Sequence, residues 1–197
     1  MRKLFFAAAM LLLSQAGFGQ AVNDQAIIPV SVTLNSILRL TVVSGGNIDF
    51  VVNTIGQYTS GINFGGGDAR YQTNFTVSAS QDFDVTIRAE DANFLGQDNA
   101  ANTMLLNNVG LDLSESGSGN DPANWALPAA VLALTNGAQN IVTGEAGAAA
   151  GGADKNNFTI RWRLGTREGA MNASSLLEQS LTPDRYITNV FLELVPK

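Results

Sequence analysis

Residues 74–89 read Asn74-Phe75-Thr76-Val77-Ser78-Ala79-Ser80-Gln81-Asp82-Phe83-Asp84-Val85-Thr86-Ile87-Arg88-Ala89. Apolar side chains fall at every second position on both sides of Ser80-Gln81-Asp82, and successive side chains of a β-strand point to opposite faces of its sheet. Two strands, each with one wet face, follow from that spacing. Working outward, the same period returns at Val109, Leu111 and Leu113, at Phe158, Ile160, Trp162 and Leu164, and at Ile28, Val30, Val32 and Leu34. Shorter candidates are residues 38–43, 48–52 and 127–134, the last with Pro128, which suits an edge or an irregular position. Residues 186–195 break the rule, with Val190, Leu192 and Leu194 on one face and Ile187, Phe191 and Val195 on the other. A strand apolar on both faces needs cover on both, so this run is expected in the middle of a sheet or against a neighbouring subunit.

Sheets with one apolar face are shielded by a second sheet stacked on the first. The expected fold is therefore all-β, an antiparallel β-sandwich with long loops and at most one short helix. A turn of helix fits residues 54–60, and a short helix fits residues 170–179 around Met171, Leu176 and Leu177. Polar or glycine-rich stretches at 61–70, 90–103, 115–124 and 144–157 read as surface loops, and the Gly/Ala run at 145–153 is expected to be mobile. Gly65-Gly66-Gly67 is not followed by the Gly-Lys-Ser/Thr of a phosphate-binding loop and reads as a flexible turn.

The first residues have the layout of a secretory leader. Arg2 and Lys3 precede an apolar run from Leu4 to Leu13, and small residues stand at Gly17 and Gly19. The run is shorter than the roughly 20 residues that cross a bilayer. Residues 1–19 are thus expected to be a Sec signal peptide, residues 20–35 an amino-terminal strand, and residues 36–197 one sandwich domain. Export outside the cell is the expected localisation, and the mature form is not expected to span a membrane.

Composition narrows the function. The chain carries 11 Lys and Arg against 17 Asp and Glu, a formal charge of -6, which becomes more negative without Arg2 and Lys3. Nucleic acid is disfavoured as a partner, because binding it depends on cations that neutralise phosphates. There is no cysteine, so stability must come from burial rather than disulfides. There is no histidine either, which excludes serine–histidine triads and HExxH centres and leaves no ready transition-metal ligand. No enzyme activity, cofactor or metal is expected.

Three candidate chemistries compete with blander readings. Glu90, Asp91 and Asp98, and likewise Asp112, Glu115 and Asp121, group carboxylates, but nothing in their spacing holds two of them across a cleft as glycoside hydrolysis requires. Gln97-Asp98-Asn99 and Asn120-Asp121-Pro122 suit calcium or ordinary Asx turns. Trp125, with Tyr58 and Tyr71 behind it, could stack on a sugar ring or cap the core, whereas Trp162 falls on the inward face of its strand.

Three stretches together resemble the pilin-like β-sandwich proteins of Gram-negative bacteria, a group that includes spore coat U-like proteins and chaperone–usher fimbrial subunits. These are the alternating segment at 27–35, the pair at 74–80 and 83–89, and the ending Leu181-Thr182-Pro183-Asp184-Arg185-Tyr186-Ile187-Thr188-Asn189-Val190, similar to an L-x-P-G-x-Y-x-x-x-V lead into a last strand. Asp184 stands where that pattern has glycine, and the paired cysteines of many fimbrial subunits are missing. A leader ending before Gln20 and an Asn-rich composition are also similar to exported proteins of the Bacteroidetes.

The resemblance implies an immunoglobulin-like sandwich on the outer surface of the cell, a fimbrium or pilus subunit that forms a homopolymer by lending a strand to its neighbour. In such β-augmentation, main-chain hydrogen bonds give affinity and alternate side chains give register. Ala26, Ile28, Val30, Val32 and Leu34 would be the donor side chains; the competing reading makes them the first strand of their own domain. The alternative function is an adhesion module that binds surface glycans or other cell-surface proteins, with Trp125 as its ligand contact.

Overall fold

The computed structural model describes residues 26–63, 69–119 and 123–197. The expected leader at 1–19, the Gly65–Gly67 turn and the Asn120-Asp121-Pro122 turn lie outside the described residues. The chain divides into two units, Met1–Leu34 and Asn35–Lys197.

In the second unit the element order is β1 (Leu38–Ser44), α1 (Ile55–Ser60), β2 (Gln72–Ala79), β3 (Phe83–Ala89), β4 (Asn93–Gly96), β5 (Thr103–Leu105), β6 (Val109–Glu115), β7 (Trp125–Ala126), β8 (Leu132–Ala133), β9 (Gln139–Gly144), β10 (Asn157–Leu164), β11 (Tyr186–Ile187) and β12 (Val190–Pro196). One five-stranded sheet runs β1-β2-β10-β6-β8, one four-stranded sheet runs β12-β3-β9-β7, and a small sheet runs β11-β4-β5. Every pairing is antiparallel. The fold is an all-β sandwich.

The core follows from the alternation. Phe75 and Val77 of β2, Phe83, Val85, Ile87 and Ala89 of β3, Leu111 of β6, and Phe158 and Ile160 of β10 are fully buried. Phe75 and Phe158 stack at 5.3 Å between ring centroids. Trp162 sits inward and satisfies its indole N–H by donating to Thr73 Oγ1 at 2.9 Å, and that hydroxyl donates to the Gly45 carbonyl at 2.6 Å. On the outer face of β6 and β10, Asp112 accepts from both Arg161 and Arg163, which ties the strands together from outside. Among the described residues the one α-helix, α1, starts with a capping box in which Thr54 accepts from the Gln57 N–H and the Gln57 side chain accepts from the Thr54 N–H.

Several expectations need correction. Residues 26–37 belong to no strand, and Ile27, Ile28, Val30, Val32 and Leu34 are all exposed, because alternation fixes faces and cannot supply a pairing partner. The carboxyl-terminal run is not central. It splits at Thr188 and Asn189 into β11 and β12, and each lies at the edge of its sheet. Residues 170–179 form turns instead of a helix, with Ser175 and Glu178 exchanging hydrogen bonds that compete with the helical ladder.

The 90–103 stretch, read as loop, contains β4 and ends on the first residue of β5. The Gly/Ala run at 145–153 has a defined course. Asp82 accepts from the Gly147 and Ala149 N–H groups, Lys155 donates to the Ala148 and Ala150 carbonyls, and Asn156 donates to Ala149.

Candidate strand-acceptor groove

β1 and β12 lie beside one another at the same side of the sandwich. Each is seven residues long and each is an edge strand. At the opposite side the edges are β8 and β7, two residues apiece. Short edges give an incoming strand little to pair with, whereas long apolar ones are templates for it.

The hydrogen-bond register shows what these long edges offer. Glu90 N–H donates to the Asn189 carbonyl at 2.9 Å and Lys197 N–H to the Asp82 carbonyl at 3.0 Å, in one continuous register with β3. Bonded pairs alternate along an antiparallel ladder, so Phe191, Glu193 and Val195 bond to β3. Val190, Leu192 and Leu194 therefore turn their N–H and C=O groups away from the sheet. On β1, Ser80 N–H donates to the Ile37 carbonyl at 2.9 Å, which places Arg39 and Thr41 in bonded pairs with β2 and turns Leu38, Leu40 and Val42 outward.

β1 ends where the chain can no longer follow β2. The register shifts between Val42 and Ser44, and Gly45 has a φ of 69°, where a Cβ would meet the Gln72 carbonyl oxygen at 1.8 Å. Only glycine makes that departure without strain. Residues 46–52 then cross the open side with Ile48, Phe50 and Val52 half-buried against the core and Asp49 and Val51 exposed. Phe50 stacks on Tyr71 at 4.6 Å. This is the period of a strand, as the sequence predicts, yet no backbone group of residues 46–52 bonds to another described residue.

Two adjoining cavities lie along this open side. One, about 320 Å³, is lined by Val42, Phe50, Leu134, Trp162, Val190 and Leu192. The other, about 430 Å³, is lined by Val52, Tyr58, Met104, Leu176, Pro183 and Tyr186. Ile48, Phe50, Phe94 and Val109 line both, so the two abut along one groove-like side of the domain. Its floor is the core itself, since Leu134 and Val109 are buried residues of the sandwich. The Tyr186 hydroxyl donates to the Thr182 carbonyl at 2.6 Å, and burial, helped by Asp184, pushes this phenol above its ordinary range. It remains a neutral donor at physiological pH.

The other residues singled out by sequence do not converge. Trp125 is 2 % exposed and packs edge-on against Phe158 at 5.1 Å, so of its two readings the ring follows the one in which it packs on the core, and the ligand-contact reading is corrected. Tyr71 is also buried, beneath Phe50. Glu90 accepts from Asn189, Asp91 from Thr188, and Asp112 from two arginines, so each of these carboxylates has its own partner. Asp98 and Asn99 contribute backbone N–H groups to Asp184 rather than a ligand set. The expected donor residues Ala26, Ile28, Val30, Val32 and Leu34 are exposed, as are the residues between them. The groove itself was not legible, because no sequence signal says which strands finish at an edge.

The chain matches no protein-family model, and no curated protein is significantly similar to it.

Proposed function

We propose that this protein is a secreted structural subunit of an extracellular filament or pilus-like surface fibre, assembling by strand addition between copies. The segment carrying Ala26, Ile28, Val30, Val32 and Leu34 of one copy docks in the groove that Val42 of β1 and Val190 and Leu192 of β12 help line on the next. The leader-like residues 1–19 support export, and among the described residues no helix is long and apolar enough to cross a membrane.

The observation that carries this reading is the groove's construction. Two long edges present outward N–H and C=O groups, and the cavity that Val42, Val190 and Leu192 of those edges line reaches the core residues Val109 and Leu134. A strand with apolar side chains on one face satisfies both needs at once. Burial of a Val, Leu or Ile side chain contributes about 1.5–3 kcal/mol, so four of them supply a gross drive of roughly 6–12 kcal/mol before the cost of ordering the segment. Donor and acceptor sit on one chain, so the contact is heterologous and propagates into a filament wherever the rotation between successive copies does not close a ring.

The test is a chain beginning at Gln20, followed by sedimentation and negative-stain microscopy, beside the double variant Val30→Asp and Val32→Asp. The parent is expected to form fibres. The variant, with two carboxylates facing an apolar groove, is expected to need about a thousandfold more protein to assemble, if it assembles at all. Equal assembly of both proteins would refute the proposal.

A further inference from the structure

We infer that docking converts residues 46–52 into a strand, so that the incoming segment is held along both cavities and not by β1 and β12 alone. The inference rests on the assembly reading above and adds a second pair of rails to it. Residues 46–52 already have a strand's alternation, with Ile48, Phe50 and Val52 turned to the core, and lack only a backbone partner. They face the cavity that Pro183 and Tyr186 line from the other side, where β11 is itself the open edge of the small sheet.

Length argues the same way. Seven residues of β12 extend about 23 Å, whereas the nine residues 26–34 extend about 30 Å, so a segment docked along β12 runs past its end. Past the amino-terminal end of β12, beyond Thr188 and Asn189, lies the cavity that residues 48–52 and Tyr186 line. The free N–H and C=O groups of residues 46–52 are partly wet in the isolated subunit, and a strand laid beside them exchanges water for ladder hydrogen bonds. The occupant is the amino-terminal segment of a second copy of this chain.

Hydrogen exchange read by mass spectrometry tests the inference on the full chain from Gln20 carrying Val30→Asp and Val32→Asp, which leaves the groove intact and the donor impaired. A synthetic peptide of residues 26–34 serves as the probe, beside a shorter one of residues 30–34. The long peptide is expected to slow exchange at least about tenfold both in β12 and in residues 46–52, and the short one to protect only one of the two stretches. Protection of β12 with unchanged exchange at 46–52 overturns this inference and leaves the assembly reading standing. No protection in either stretch overturns both.

Discussion

Asp184 shows how one carboxylate fixes an end of the groove. Its oxygens accept from the backbone N–H of Asp98 at 3.0 Å, of Asn99 at 3.2 Å and of Arg185 at 2.7 Å, and from Asn102 Nδ2 at 2.9 Å. Chiefly the Asp98 N–H, then Asn102, hold its pKa below the ordinary 3.8. A carboxyl whose pKa is lower folded than unfolded lends stability above the ordinary range and loses it as pH falls through the depressed value. Asp184→Asn cannot accept four such bonds, since its amide presents donors to donors. The expected outcome is faster exchange at the Asp98 and Asn99 amides at neutral pH, with the acid-dependent loosening of this loop abolished. Unchanged exchange at those two amides would show that Asp184 does not pin the loop. Trp125 makes a second case. Because it is packed on Phe158, Trp125→Ala is expected to cost about 3–5 kcal/mol of unfolding free energy in a denaturant titration. A loss below 1 kcal/mol would return the ring to the surface.

Strands that pair with the middle of a sheet were legible, and those that pair irregularly were not. Residues 74–79, 83–89, 109–114 and 158–164 announce themselves because each lies between two paired strands and buries an apolar residue at every second position. β9 did not, because a register shift opposite Val85 and Thr86 leaves Ile141 as an extra residue, so Ile141 and Val142 are both fully buried and the alternation fails. β4 and β5 are four and three residues long, too short for any period to rise above polar neighbours. Edge placement has no local signature at all, which is why residues 186–195 read as either central or covered by a neighbouring subunit. The free segment at 26–34 carries the complementary lesson: its faces were legible and its partner was not. Period two also supplies a prediction. Val32→Asp in the chain from Gln20 is expected to reduce assembly at least about tenfold, while Ser31→Asp, on the opposite face, changes it less than about threefold in the same sedimentation assay. Equal effects from both would mean that the segment does not dock by one face.

Across the domain, asymmetry between its two sides is what the proposed assembly uses. One side ends in two-residue strands, and the other in two seven-residue strands over an open core. An acidic surface, with 17 carboxylates to 11 cations, opposes non-specific association between copies. Salt is expected to speed assembly by screening that repulsion, and slower assembly at 0.5 M than at 0.05 M sodium chloride would contradict this. Sedimentation velocity over a concentration series then compares the chain from Gln20 with one from Asn35. The longer chain is predicted to shift into a broad distribution of growing polymers as concentration rises, while the shorter stays a folded monomer that residues 26–34 supplied as a peptide can bind. A longer chain that remains monomeric throughout, or a shorter one that polymerises equally well, contradicts the groove as the point of assembly.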